Sequence, residues 1–149
     1  MPQRFSALRK CIATVCLSGT LAEKLEAAAA AGFDGVEIFE ADLLAFGGSP
    51  ADVRSICEGL GLAVSLYQPF RDFEAMPDPQ RARNLDRAER KFDVMQALGA
   101  ELLLVCSNVQ PAPSWTTTPG LRRTWRRWPS APAGAACASA TRRWPGDGT

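Results

Sequence analysis

Side chains able to do chemistry recur in this sequence at one kind of place, at or just past a short apolar run. Ser18 follows residues 11–17, CIATVCL. Glu37 and Glu40 stand at and after GVEIF. Gln68 and Arg71 follow LAVSLY, and Ser107 and Asn108 follow ELLLVC. A guanidinium grips a carboxylate through two parallel hydrogen bonds, so Arg71 is the cation best placed to hold an anionic ligand, the alternative being a surface partner for Asp72 or Glu74. Glu37 and Glu40 are two carboxylates near one strand end. Strand alternation sends Glu37 and Phe39 to one side and Glu40 to the other, so one lines a mouth and the two do not form an acid–base couple. Phe70 and Phe73 either wall an apolar pocket or pin their loop to the body. Ser107 and Asn108 either hydrogen-bond a ligand or cap the next helix. The sequence contains no histidine, so an imidazole base is excluded, and Cys106 lacks the partner that would make its thiol a nucleophile. No residue is assigned a catalytic role, and Arg71, Glu37, Ser107, Asn108 and Phe70 are the candidate binding set.

Other chemistries are poorly served. The five cysteines, Cys11, Cys16, Cys57, Cys106 and Cys137, are odd in number and lack CxxC spacing, which indicates neither a disulfide framework nor a zinc knuckle. They read as small buried hydrophobes of a reducing compartment, and a cytoplasmic location is expected. No apolar run is long enough to span a bilayer. No GxGxxG or GxxxxGK follows the first strand, which argues against a nucleotide cradle.

Strand-end residues need strands, and the elements follow from local signals. Residues 11–17 read as a strand. Residues 21–30, LAEKLEAAAA, are strong helix formers, opened by a Thr20/Glu23 capping box and closed by Gly32. GVEIF is the second strand. Ser49 caps a helix over residues 50–60 with Pro50 at its first position, and residues 62–67 form the third strand. A polar loop over 68–77 leads to a helix over 79–98 with Leu85, Ala88, Phe92, Met95 and Leu98 on one face. Gly99 ends it, and residues 101–106 are the fourth strand. Strands separated by helices of this length form right-handed βαβ units in a parallel sheet. That leaves an open doubly wound sheet or part of a (β/α)8 barrel, and in both chemistry gathers at the C-terminal strand ends.

The stretches IATVCLSGTLAEKLEAAAAAGFDGVEIFE, YQPFRDFEAMP and NLDRAERKFDVMQALGAELLLVCSNV resemble the sugar phosphate isomerase/epimerase superfamily of xylose isomerase-like TIM barrels. GFDGVEIFE is shared widely there, whereas QPFRDFE with LLLVCSN is similar to the bacterial 3-dehydroshikimate dehydratases. The resemblance implies a metal-dependent lyase that converts 3-dehydroshikimate, a small-molecule substrate, to protocatechuate. A divalent ion (Mg, Mn or Co) would hold the substrate carbonyl while a base takes the neighbouring proton. It implies ligands on later strands, so no metal ligand is expected in this chain, and it places Arg71 against the ring carboxylate. The expected fold class is α/β, the N-terminal half of a (β/α)8 TIM barrel with four parallel strands over residues 1–109. A fragment of a sugar phosphate or hydroxypyruvate isomerase/epimerase of the same superfamily is the alternative.

Residues 110–149 differ in character. They hold all four tryptophans, six of the 11 prolines and a single large aliphatic residue, Leu121. Six of the 17 basic residues and one of the 16 acidic ones lie there, leaving 11 and 15 in the body. A basic, tryptophan-bearing tail raises a second alternative, an α/β module touching nucleic acid. However, Arg122, Arg123, Arg126 and Arg127 form no helical basic face and Pro129 follows closely, so no nucleic-acid partner is expected. A shift of reading frame explains the composition better. Read two bases on from Pro113, every TGG supplies an NTG codon, so each tryptophan becomes Leu, Met or Val, and the segment can encode a helix and then a strand ending in Tyr-Glu. Residues 110–149 are therefore expected to be an out-of-frame, disordered tail, and the chain by itself to be inactive.

Overall fold

In a computed structural model, residues 9–73, 76, 78–106 and 136–139 of the 149-residue chain are described. The strands are β1 (Cys11–Ala13), β2 (Gly35–Phe39), β3 (Ala63–Phe70), β4 (Leu102–Val105) and β5 (Ala136–Ser139). The helices are α1 (Leu21–Ala30), α2 (Glu40–Ala45), α3 (Pro50–Gly59) and α4 (Asp78–Leu98). All pairings are parallel and the strand order is β1-β2-β3-β4-β5. Sequential order decides between the two architectures left open above. Right-handed crossovers that always step the same way put every helix on one face of the sheet, as in a barrel wall, whereas a doubly wound sheet reverses its order and is covered on both faces.

Local chemistry accounts for the element ends. Thr20 and Ser49 each open a helix with a full capping box, through Glu23 and Asp52. The second box satisfies two orphan amides where sequence reading saw only the Ser49 cap. Gly32 and Gly99 leave α1 and α4 at φ of 74° and 73°, a left-handed turn that a side chain disfavours.

Several elements differ from expectation. The first strand stops at Ala13 and becomes a 3-10 turn, Thr14–Cys16, because the Thr14 side chain turns inward and its Oγ1 accepts the Phe39 amide at 3.0 Å. The strand expected over 62–67 runs on to Phe70, where the Phe70 carbonyl accepts the Cys106 amide at 2.9 Å. The short helix α2 directly after β2 was not anticipated: six residues carry too little periodicity to be distinguished from a loop. β5 adds a fifth strand within the segment expected to lack order, lying along β4, whose outer edge offers unpaired backbone groups. The rest of residues 110–149 lies outside the described residues.

The core fills one side of the sheet. Val36, Ile38, Val64, Tyr67, Leu103 and Val105 are buried there against Leu21, Leu25 and Ala28 of α1, Val53 and Cys57 of α3, and Ala88, Phe92, Met95 and Leu98 of α4. The opposite face carries the alternate residues. By register, Ala13, Glu37 and Leu66 stand side by side, Phe39 pairs with Gln68, and Leu66 pairs with Leu102. This second face is the one that becomes the interior of a closed barrel.

Candidate functional site

Three groups of polar side chains surround the C-terminal ends of β2 and β3. On the inner face, the Gln68 amide nitrogen donates to Glu37 Oε2 at 2.9 Å, and both residues are half-buried. Behind the sheet, Glu40 at the start of α2 accepts hydrogen bonds from the Tyr67 hydroxyl, at 3.1 Å, and from Lys91 of α4. The Lys91 ammonium also lies 5.1 Å from the Tyr67 ring centre and 5.3 Å from that of Phe70, a cation–π arrangement inside the body. Burial and the neighbouring Glu40 carboxylate push the Tyr67 hydroxyl far above its ordinary pKa, so it stays a donor. The expected separation of the two glutamates therefore holds, with Glu37 facing inward and Glu40 committed to a structural pair.

The third group is a clamp on the chain leaving β3. Asn84 is fully buried in α4; its amide donates to the Asp72 carbonyl, and its Oδ1 accepts from Gln80 at 3.2 Å and Arg87 at 3.1 Å. Asp72 has φ of 54°, a backbone state that a non-glycine residue keeps only when its surroundings hold it. Arg87 in turn sits 5.2 Å over the Phe70 ring, which packs on Phe73 at 4.9 Å. Arg71, between these anchors, is exposed and has no carboxylate partner among the described residues.

The structure thus distributes the sequence candidates unevenly. Glu37 lies in β2, and Arg71 directly follows β3, its neighbour in the sheet. Phe70 is fully buried on the helix side beside Val105, so of its two readings it takes the anchoring one and holds Arg71 rather than walling a pocket. Ser107 and Asn108 lie outside the described residues. Thr14, Asn84 and Lys91 were missed. A signal existed for the last two: Asn84, Ala88, Lys91, Met95 and Leu98 recur at spacings of four and three. A polar residue inside such a stripe is a buried one with a partner to find.

No three carboxylate, thiol or imidazole donors come together among the described residues. Glu37 meets an amide and Glu40 an ammonium. Among the described residues no helix is long and apolar enough to cross a membrane.

Comparison with known proteins bears on what these strand ends serve. The model of the xylose isomerase-like TIM barrel family matches residues 25–136. A 3-dehydroshikimate dehydratase of Pseudomonas putida is 66% identical over 103 residues, which are 69% of this chain and 16% of that protein. One from Pseudomonas aeruginosa is 67% identical over 102 residues, 68% of this chain and 16% of its own length. The chain therefore spans about one sixth of the curated relatives it matches. Among solved structures, a xylose isomerase-like TIM barrel/4-hydroxyphenylpyruvate dioxygenase fusion protein superposes with a TM-score of 0.69 at 65% identity, over 70% of this chain and 17% of that one.

Proposed function

From the premise that this chain belongs to the xylose isomerase-like TIM barrel family, we propose that it supplies the first four β/α units of a 3-dehydroshikimate dehydratase, a lyase that removes water from a cyclic hydroxy-ketone acid. The observation that carries this reading is the identity of 66% over 103 residues to a relative of that name. The exposed Arg71 agrees with it. A guanidinium that is exposed, has no carboxylate partner among the described residues and lies between two anchored aromatics presents a fork for the substrate's ring carboxylate. Glu37 contributes an acceptor on the inner face, and Ser107 and Asn108, after β4, are proposed as further contacts. Phe70 and Phe73 support Arg71 from behind.

A divalent ion, when bound, would polarise the substrate carbonyl. Its ligands would have to come from beyond the described residues, on the later strands that complete the barrel. The chain alone is accordingly expected to be inactive, and the small-molecule substrate to be its only partner in this role.

The test is the gene. Nucleotides across residues 108–149 should encode a helix and a strand ending in Tyr-Glu in a shifted frame. The product extended in that frame, supplied with a divalent metal, should release protocatechuate from 3-dehydroshikimate, followed by ultraviolet absorbance. A folded, metal-loaded extended product that leaves 3-dehydroshikimate intact, or that instead interconverts a sugar phosphate or hydroxypyruvate, refutes the proposal.

A further inference from the structure

Toward the C-terminal strand ends, a polar pair interrupts the apolar residues of the inner face of β1–β4. Ala13, Phe39, Leu66, Leu102 and Leu104 share it by register, and between them the Gln68 amide donates to Glu37 Oε2 at 2.9 Å. An ionised carboxylate can only accept hydrogen bonds, so the amide has to turn its NH2 toward Glu37 and its carbonyl oxygen away. Two acceptors are left without a partner among the described residues, Gln68 Oε1 and Glu37 Oε1. No cationic side chain shares the register of this face. Such a pair repels carboxylate or phosphate and takes hydroxyl donors, while the surrounding aliphatic and aromatic walls take the face of a ring.

We propose that Gln68 is a specificity-determining residue that, oriented by Glu37, reads a ring hydroxyl of the substrate, so that the site selects polyhydroxylated ring acids over ring acids lacking hydroxyls. This rests on the dehydratase reading in one respect: Arg71 is taken to hold the carboxylate at the other end of the same ring. The reach is adequate. Gln68 and Arg71 are three residues apart, at most about 10 Å between Cα atoms, a separation across which two long side chains can bracket a six-membered ring. Gln68 therefore does more than satisfy Glu37. A residue present only for that purpose would be indifferent to hydroxyls on a ligand.

The experiment uses the full 149-residue chain, labelled with nitrogen-15, titrated with shikimate and separately with cyclohex-1-ene-1-carboxylate as probes. One neutral hydrogen bond corresponds to a preference for shikimate of about threefold to tenfold. The side-chain amide resonances of Gln68 should move with shikimate and stay in place with the hydroxyl-free acid. Gln68→Met, similar in length and without hydrogen-bonding groups, should bring the two affinities within about twofold of each other. Arg71→Ala should weaken both acids alike. Equal binding of the two acids by the unsubstituted chain, binding of neither, or a preference that survives Gln68→Met overturns the proposal. Should Gln68→Met fail to fold by circular dichroism, the Gln68 resonances of the unsubstituted chain decide it. Protocatechuate release by the extended product is a separate outcome. Release without hydroxyl preference sinks Gln68 and leaves the dehydratase; preference without release does the reverse.

Discussion

Removing the Asn84 side chain should open the loop that carries Arg71 without unfolding the body. Asn84 is fully buried and its amide is the side-chain donor to the Asp72 carbonyl, at a residue whose φ of 54° needs external support. In Asn84→Ala the carbonyl of the half-buried Asp72 loses that donor, which costs about 1–2 kcal/mol, between the net worth of a hydrogen bond and the full cost of an unsatisfied acceptor. Gln80 and Arg87 are only half-buried, so water replaces the Oδ1 they lose and adds little to the cost. A local loss of about 2 kcal/mol, the upper end of that range, corresponds to roughly a 30-fold rise in the open population. Trypsin reads that population directly, because Arg71 provides a cleavage site inside the clamped loop and cleavage tracks the open fraction when reclosing is fast. The rate of cutting after Arg71, followed by mass spectrometry of the native chain, should therefore rise by up to about that factor. Asn84→Asp is the sharper variant: it keeps the volume and the acceptor for Arg87 but sets an oxygen against the Asp72 carbonyl, so it should open the loop at least as far. Cleavage after Arg71 that stays within twofold in both variants, or that rises only in parallel with every other site, would refute the clamp.

Other outcomes follow from the same structure. Lys91→Met strands Glu40 beside the Tyr67 hydroxyl and should cost about 2–4 kcal/mol in urea unfolding, discounted for the partial exposure of Glu40; the double variant with Glu40→Gln should lose less than the sum of the two singles. The carboxyl of Glu23 is held below its ordinary 4.5 first by the Thr20 amide, and that of Asp52 below 3.8 first by the Ser49 hydroxyl. A depressed carboxylate stabilises the fold above its ordinary value and ceases to as pH falls through its folded value, so stability measured by circular dichroism should decline below about pH 4.5. Glu23→Gln with Asp52→Asn should flatten that decline. Burial pushes the Cys57 thiol up to about 11, whereas Cys11 and Cys16 are exposed. At pH 8 a thiol reagent should therefore label those two well before Cys57, and equal rates would show that the α3 core is open.

Most of the architecture was legible along the chain because its causes are local. Apolar period, capping boxes at Thr20 and Ser49 and glycines at helix exits depend on residues within a turn of one another, and they fixed four strands, three long helices and which residues stand at strand ends. Glu37 and Glu40 do meet different partners, but Glu40 does so as the first residue of α2 and not by alternation along β2. What the linear order could not contain were relations between distant segments. The single-faced sheet depends on strand order, which a βαβ repeat leaves open. Gln68 finds Glu37 across 31 positions and Lys91 finds Glu40 across 51, because the β2–β3 register and the seat of α4 bring them together. Phe70 reads as a loop aromatic until β3 is seen to continue beneath it, and it then belongs to the core. Short-range chemistry shaped each piece, and packing of the pieces chose which polar groups meet, since a hydrogen bond asks only for distance and direction and is blind to how far apart its partners lie in the chain.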